Sequence, residues 1–376
     1  MIDLAGLSTG PAQPWGAIRL VPLLRAEPIV DLRLHARLYG SEELSIVEVR
    51  PRTAYVAYVP HAFVATWTTD ASPAAAYGTQ LREPAGGAEP EGIRLAFRRR
   101  MARREDRLRL RFLPLHLALE GYLALHFGGP PIAWQEWTRQ AVTRGLSPRI
   151  ETSYAGSAVS GLDDALRIFE IHPDQCGMLL YVGGDLAAAF VVPHPDDYRA
   201  LHPTLLQDFY GELLYQNAFW SPAVVEAPVR LDDTGIGDLG ELRARVARAR
   251  AEGAAAGPLL DGQRLTVSRV QRMGRFTLSR FRPAFDPAAE NHIGELITDR
   301  GGRVAYLKTF RLSAAQTRRG HLLSRLAAHD WQLDAAAADL GTNREGLALR
   351  LDKAGFGHLL RPDIVDAARH RARTGG

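Results

Sequence analysis

The residues of this 376-residue chain that could do chemistry fall in a few short stretches. His116, Glu120 and His126 stand in an apolar run, residues 112–134, broken by Pro114 and Pro130. If residues 115–125 are helical, His116 and Glu120 share a face one turn apart, as an acid/base pair or two ligands would. A carboxylate in apolar surroundings is costly unless paired, and its pKa rises, which suits a general acid. The competing reading is a His and a Glu that brace a turn by hydrogen bonding to each other. A second polar cluster, Glu290-Asn-His-Ile-Gly-Glu295, precedes an apolar strand pattern and reads otherwise as a capped loop. His116, Glu120 and Glu290 are therefore the candidate catalytic groups, and convergence of His116, Glu120, His126, Glu290 and His292 in space is the test. Pro193-His-Pro-Asp-Asp197 with His202 reads as a helix N-cap, with Asp196 or Asp197 accepting from free amides, rather than as a metal site.

Other patterns lose on context. Gly235-Ile-Gly-Asp-Leu-Gly240 has the spacing of a dinucleotide fingerprint, but acidic Leu231-Asp-Asp-Thr234 precedes it where a hydrophobic strand is required. Gly6-Leu-Ser-Thr-Gly10 has only five residues ahead of it, too few for the strand that a nucleophile elbow needs. Cys176 is the single cysteine, so no internal disulfide and no cysteine zinc site is possible, and it reads as a buried small residue. No metal and no cofactor are expected. The densest charge is the arginine run from Arg94 to Arg111, in which Arg98, Arg99 and Arg100 are consecutive. It reads either as a solvated hairpin tip or as a patch facing a polyanion.

The elements that must position these residues follow from periodicity. With 46% hydrophobic and 23% charged residues the composition is that of an ordinary globular protein, and a net charge of +4 permits nucleic-acid contact without requiring it. Strand patterns cover 17–24, 44–49, 54–59, 62–67, 93–97 and 108–112. Gly183-Gly184-Asp185 predicts a hairpin between strands at 177–182 and 186–192. Helices are expected at 134–144, 162–169, 203–216 and 239–256. A second β-rich group covers 265–270, 276–281, 293–298 and 304–310, with Asp299-Arg-Gly-Gly-Arg303 as its clearest turn. The fold class is α+β and multi-domain: an α+β domain over 1–225, a helical linker region over 226–262, a β-rich unit over 263–311 and a helical tail over 312–376. No basic n-region with an apolar h-region opens the sequence, and no stretch reads as a membrane span, so the expected location is cytoplasmic with no membrane partner.

The tail carries the most specific pattern. Trp331 to Phe356 reads as an Ala-rich helix, a break at Gly341 and a second helix ended by Gly355, with Thr342 and Glu345 as a capping box. Leu347, Leu351 and Ala354 share one face of that second helix, and a longer helix from Leu312 to His329, with core residues Leu322, Leu323 and Leu326, precedes the pair. This order and spacing resemble the Fis-type helix-turn-helix. The resemblance implies DNA binding through the second helix, where Asn343, Arg344, Arg350 and Lys353 are the candidate contacts; Arg98, Arg99 and Arg100 of the separate arginine run are the other candidate DNA contacts. The outward face departs from that pattern by offering Glu345, Gly346, Leu349 and Asp352, so sequence preference should be weak.

Trp15-Gly-Ala-Ile-Arg-Leu-Val-Pro-Leu23, Gly161-Leu-Asp-Asp-Ala-Leu-Arg-Ile-Phe169, Gln175-Cys-Gly177, the Gly183-Gly184 hairpin and Leu205-Leu206 with Tyr210 resemble the ADP-ribosylglycohydrolase- and rhodanese-phosphatase-associated protein domain family (ARPP type). That resemblance brings genomic company with ADP-ribose and phosphate chemistry and no catalytic motif. The expected function is a DNA-associated regulatory or adaptor protein in bacterial stress or defence. The alternatives are a hydrolase on ADP-ribose-like or phosphorylated substrates, or a structural protein whose tail assembles with a protein partner or a second copy.

Overall fold

Two stretches of chain more than a hundred residues apart build one sheet. In the computed structural model residues 1–15, 17–34, 46–50, 53–56, 65–67, 111–112, 170–204, 234–254 and 258–374 are described. Their strands are β1 (Ser8–Thr9), β2 (Gln13–Trp15), β3 (Ile18–Leu24), β4 (Leu32–Leu34), β5 (Ile46–Arg50), β6 (Thr53–Val56), β7 (Ala65–Trp67) and β8 (Arg111–Phe112), followed by β9 (Gln175–Val182), β10 (Asp185–Val191), β11 (Leu265–Met273), β12 (Phe276–Pro283), β13 (His292–Thr298) and β14 (Val304–Arg311). The helices are α1 (Pro195–Thr204), α2 (Leu239–Ala254), α3 (Ala314–Ala328), α4 (Leu333–Asp339), α5 (Arg344–Lys353) and α6 (Pro362–Thr374). This is an α+β fold. No described helix is long and apolar enough to cross a membrane.

The main sheet has nine strands in the order β1-β3-β9-β10-β14-β13-β12-β11, with β2 paired to β3. Every pairing in it is antiparallel. The strands of the β-rich unit expected at 263–311 join the same sheet: β14 hydrogen-bonds to β10 in register Ala188↔Phe310 to Val191↔Leu307. Its strands could not stand alone, because β13 and β14 are buried almost from end to end and need cover on both faces. On one face Val21, Leu179, Ala189 and Leu307 pack beneath Ile2, Leu4, Leu7, Leu259 and Leu260. On the other, Tyr198 of α1 reaches Met178 of β9 at 3.9 Å.

Turns close these strands where the residue types demand them. Gly183 and Gly184, at φ 64° and 93°, make the two-residue turn between β9 and β10, both in the left-handed region that costs glycine little. Between β13 and β14, Asp299 Oδ1 accepts from the Gly301 and Arg303 amides, both at 2.9 Å. The expected helix at 203–216 begins earlier, at Pro195, with Asp196 and Asp197 in its first turn. Its amide Asp196 N donates to His194 Nδ1 at 3.1 Å. Residues 205–216 of that expectation, the helices at 134–144 and 162–169, and the strand at 93–97 lie outside the described residues.

The tail is four helices, one more than the sequence pattern suggests. Ser313 caps α3 in a reciprocal box with Gln316, and α3 sits on the sheet where Gly320 lies against the Phe285 ring. Leu323, Leu326, Ala336, Ala337, Leu347, Ala348 and Leu351 form the buried seam of α3, α4 and α5. Burying a leucine such as Leu347 contributes about 1.5–3 kcal/mol, so this seam holds the helices together. Gly341 (φ 59°) makes the turn between α4 and α5, and Gly355 (φ 89°) follows the end of α5. The Thr342–Glu345 capping box is not formed. Asn343 is the cap, its side chain accepting from Gly346 N at 2.8 Å, so the third helical residue is a glycine with no side chain to close a box, and the Glu345 carboxylate pairs with Arg371 on α6.

Candidate functional site

The surface of α5 is the first candidate. With about 3.6 residues per turn, the side of α5 opposite Leu347 and Leu351 carries Glu345, Gly346, Leu349, Asp352 and Lys353 in sequence, with Arg350 beside it. Asn343, Arg344, Arg350 and Lys353 are all exposed. Asn343 spends its oxygen on the helix cap, so only its amide nitrogen remains to donate. Arg344 Nη1 lies 3.1 Å from Asp334 Oδ2, and Arg350 Nη1 reaches the Leu340 carbonyl at 3.4 Å. Both contacts are solvent-exposed and weak enough to yield to a phosphate.

The acids expected on the outward face are not free. Glu345 pairs with Arg371, and Asp352 Oδ2 accepts from Arg369 Nε at 3.1 Å and Nη2 at 2.7 Å. Sequence reasoning missed α6. Its signal was present: Pro362 at the first helical position, Asp363 in the first turn, Val365 and Ala368 on the buried face, and Arg371 and Arg373 in the last turn.

The second candidate surrounds Glu290. Its Oε1 lies 3.2 Å from Arg311 Nη1, and the same nitrogen donates to Asp185 Oδ2 at 2.9 Å. His292 Nε2 is 4.0 Å from Glu290 Oε2, too far for a hydrogen bond. His292 is wholly buried, and among the described residues neither ring nitrogen makes a hydrogen bond of ordinary geometry. Burial pushes its pKa down to about 3, the Arg311 charge lowers it further, and the Leu186 backbone opposes. A neutral imidazole in that setting is a poor general acid. A cleft of about 860 Å³ between the loop after β12 and α3 is lined by Arg264, Asp286, Glu290, His321 and Arg325, among others, but His292 does not reach it. Glu290 and His292 therefore do not face a common space.

A third cluster gave no motif. Cross-strand partners Arg280, Glu295 and Lys308 form a row over β12, β13 and β14, ending at Phe190 on β10. Arg280 Nε donates to Glu295 Oε1 at 2.9 Å, and Lys308 Nζ sits 3.4 Å from Glu295 Oε2. Glu295 and Lys308 are both buried, and burial pushes the Lys308 amine below the usual lysine range while Glu295 opposes. Arg25 is likewise buried. Its Nη2 donates to the Val304 carbonyl at 2.7 Å, while Nε and Nη1 meet no acceptor. Cys176 beside it is a free, buried thiol whose pKa burial pushes up to about 11, so it is not a ready nucleophile.

His116, Glu120, His126, Arg98, Arg99 and Arg100 lie outside the described residues. Among the described residues no group of three or more His, Cys, Asp or Glu could hold a metal ion. The Gly235–Gly240 stretch is a capped helix start: Gly237 N donates to Glu241 Oε2 at 2.6 Å and Glu241 N to Asp238 Oδ1 at 2.8 Å. Acidic oxygens thus already occupy the amides that a phosphate would need. A family model described as ARPP-2 matches residues 2–274. No curated protein and no solved structure matches the chain.

Proposed function

The chain belongs to the ARPP-2 family, and from that premise we propose that it is a DNA-associated regulatory or adaptor protein. In this reading the sheet senses or recruits, and the C-terminal helices act as a Fis-type helix-turn-helix that docks on duplex DNA, in a bacterial stress or defence setting. The tail lies beyond the family's match, which suits a separate task.

One observation carries the reading. On α5 the apolar residues Leu347, Ala348 and Leu351 are turned inward, while Arg344, Arg350 and Lys353 are exposed. Gly346 and Leu349 offer no donor to a base edge, so binding is electrostatic with weak sequence preference. Of the candidates for the hydrolase alternative, Glu290 is tied to Arg311, while His116 and Glu120 lie outside the described residues.

The test is binding of the full-length protein to a labelled mixed-sequence duplex across a salt series. The affinity should fall with salt, with a log–log slope of about −0.9 for each phosphate contacted. Arg350→Ala with Lys353→Ala should lower that slope by roughly two contacts. Absence of binding at about 50 mM salt would reject the reading and favour a protein-contact tail. Strong selection of one motif from a randomised pool would replace docking with sequence reading.

A further inference from the structure

The geometry assigns α6 to the DNA-facing surface, as the element that cancels the acidic flank of α5. This rests on the DNA-docking reading above. By itself α5 is a poor polyanion binder: Arg344, Arg350 and Lys353 are offset by Glu345 and Asp352 on its neighbouring flank. These two acids lie seven residues apart, two turns along the same side of the helix. Helix α6 lies along that side. Arg369 meets Asp352 through two nitrogens, and Arg371 meets Glu345, so each acid of α5 has its own arginine. The pairing is specific: Arg361, just before α6, pairs locally with Asp363 instead.

The apolar side of α6 explains its placement, with Val365 and Ala368 buried and Arg369, Arg371 and Arg373 exposed. Arg373 Nε donates to the Arg369 carbonyl at 3.3 Å, at the C-terminal end of the same helix. Duplex DNA approaching α5 therefore meets Arg350 and Lys353 beside two neutralised ion pairs rather than beside two free carboxylates. The helix that reads as an afterthought in sequence neutralises both acids of α5 and so raises the positive charge of the surface. Its arginines are positioning residues that act through Glu345 and Asp352.

Removing the arginines should expose the acids, and removing the acids as well should undo the damage. Arg369→Ala with Arg371→Ala is expected to weaken mixed-sequence duplex binding roughly five-fold at about 10 mM salt, the effect of two like charges some 7 Å from phosphate in water with a Debye length of about 30 Å. Adding Glu345→Gln and Asp352→Asn should restore affinity to within about two-fold. Glu345→Gln with Asp352→Asn alone should strengthen binding and steepen its salt dependence, since Arg369 and Arg371 are then released. This last variant does not depend on the fate of α6 once the arginines are lost, and circular dichroism reports on that fate. Unchanged binding in the double arginine variant, no recovery in the fourfold variant, or no gain in the acid-to-amide variant overturns the assignment. Absence of salt-dependent binding by the wild-type chain instead overturns the DNA reading beneath it.

Discussion

Gly320 lies in the middle of α3, and replacing it with alanine sets two effects against each other. A helix-interior glycine costs about 1 kcal/mol relative to alanine, so intrinsic propensity alone makes Gly320→Ala stabilising. The structure gives the opposite sign. A Cβ at Gly320 would stand 2.5 Å from Cε1 and 2.9 Å from Cγ of Phe285, and closer still to Cδ1. Ordinary carbon contacts lie near 3.5–4.0 Å, so roughly 1 Å of movement is required. Phe285 cannot supply it readily: it is 2% exposed, held at φ 56°, and its carbonyl bonds His321 Nδ1 at 3.0 Å. Overpacking of this kind costs about 1–3 kcal/mol, so the net expectation is a loss of up to about 2 kcal/mol. Equilibrium urea unfolding of the full chain measures it. In a Phe285→Leu background the ring is gone, and the same substitution should become neutral or stabilising by up to about 1 kcal/mol. Stabilisation by Gly320→Ala in the wild-type background would refute the reasoning, because the contact that docks the tail would then not be tight.

Two other perturbations test the sheet. His292 is held at about 3 and His202 at about 4, both lowered by burial from 6.5, so the unfolded chain takes up these protons first. Stability should therefore be full above about pH 6.5 and decline as pH falls toward those values, by at most about 1.4 kcal/mol per unit for each histidine. His292→Gln and His202→Gln should each flatten the fall of the urea midpoint between pH 7 and 5, and a profile identical to wild type in both would contradict the burial argument. At the buried row, Glu295→Gln removes the carboxylate between Arg280 and Lys308 and should cost about 3–5 kcal/mol. Lys308→Met leaves Glu295 bonded to Arg280 and should cost less. The reverse order in denaturant unfolding would show that Lys308, not Glu295, anchors the row.

What could be read in advance was local. Gly183-Gly184 and Asp299-Arg-Gly-Gly carry their turn chemistry in a few residues, and so do the Gly341 break and the Leu347/Leu351 face. The Thr342–Glu345 box shows the limit of such matching, because the helix starts one residue later, at Asn343, and Glu345 meets an arginine on a helix not foreseen from sequence. Glu295 reads as the end of a capped loop, and Lys308 is one residue of a strand pattern with no role of its own. Only the pairing of β10 with β14 and the cover on both faces bury them, and neither is encoded in the spacing of either strand. Arg25 was passed over for the same reason: an arginine at a strand end reads as surface until the Val304 carbonyl comes from 279 residues away to meet it.

The position of β14 also bears on how the polypeptide comes off the ribosome. Strand β10 has its second neighbour only once residues 304–311 exist, so synthesis up to that point leaves an open row of amides and carbonyls along the middle of the unfinished sheet. Such an edge invites pairing with other chains, and the delay lengthens with every residue between the partners. A recombinant piece trimmed to the family's own boundary, residues 2–274, would make that temporary exposure permanent. It would stop after β11, at the far rim of the sheet, with β12, β13 and β14 all missing between that rim and β10. Boundaries drawn from kinship and boundaries drawn from hydrogen bonding differ in this protein, and material for biochemistry has to be cut at the latter, beyond Arg311.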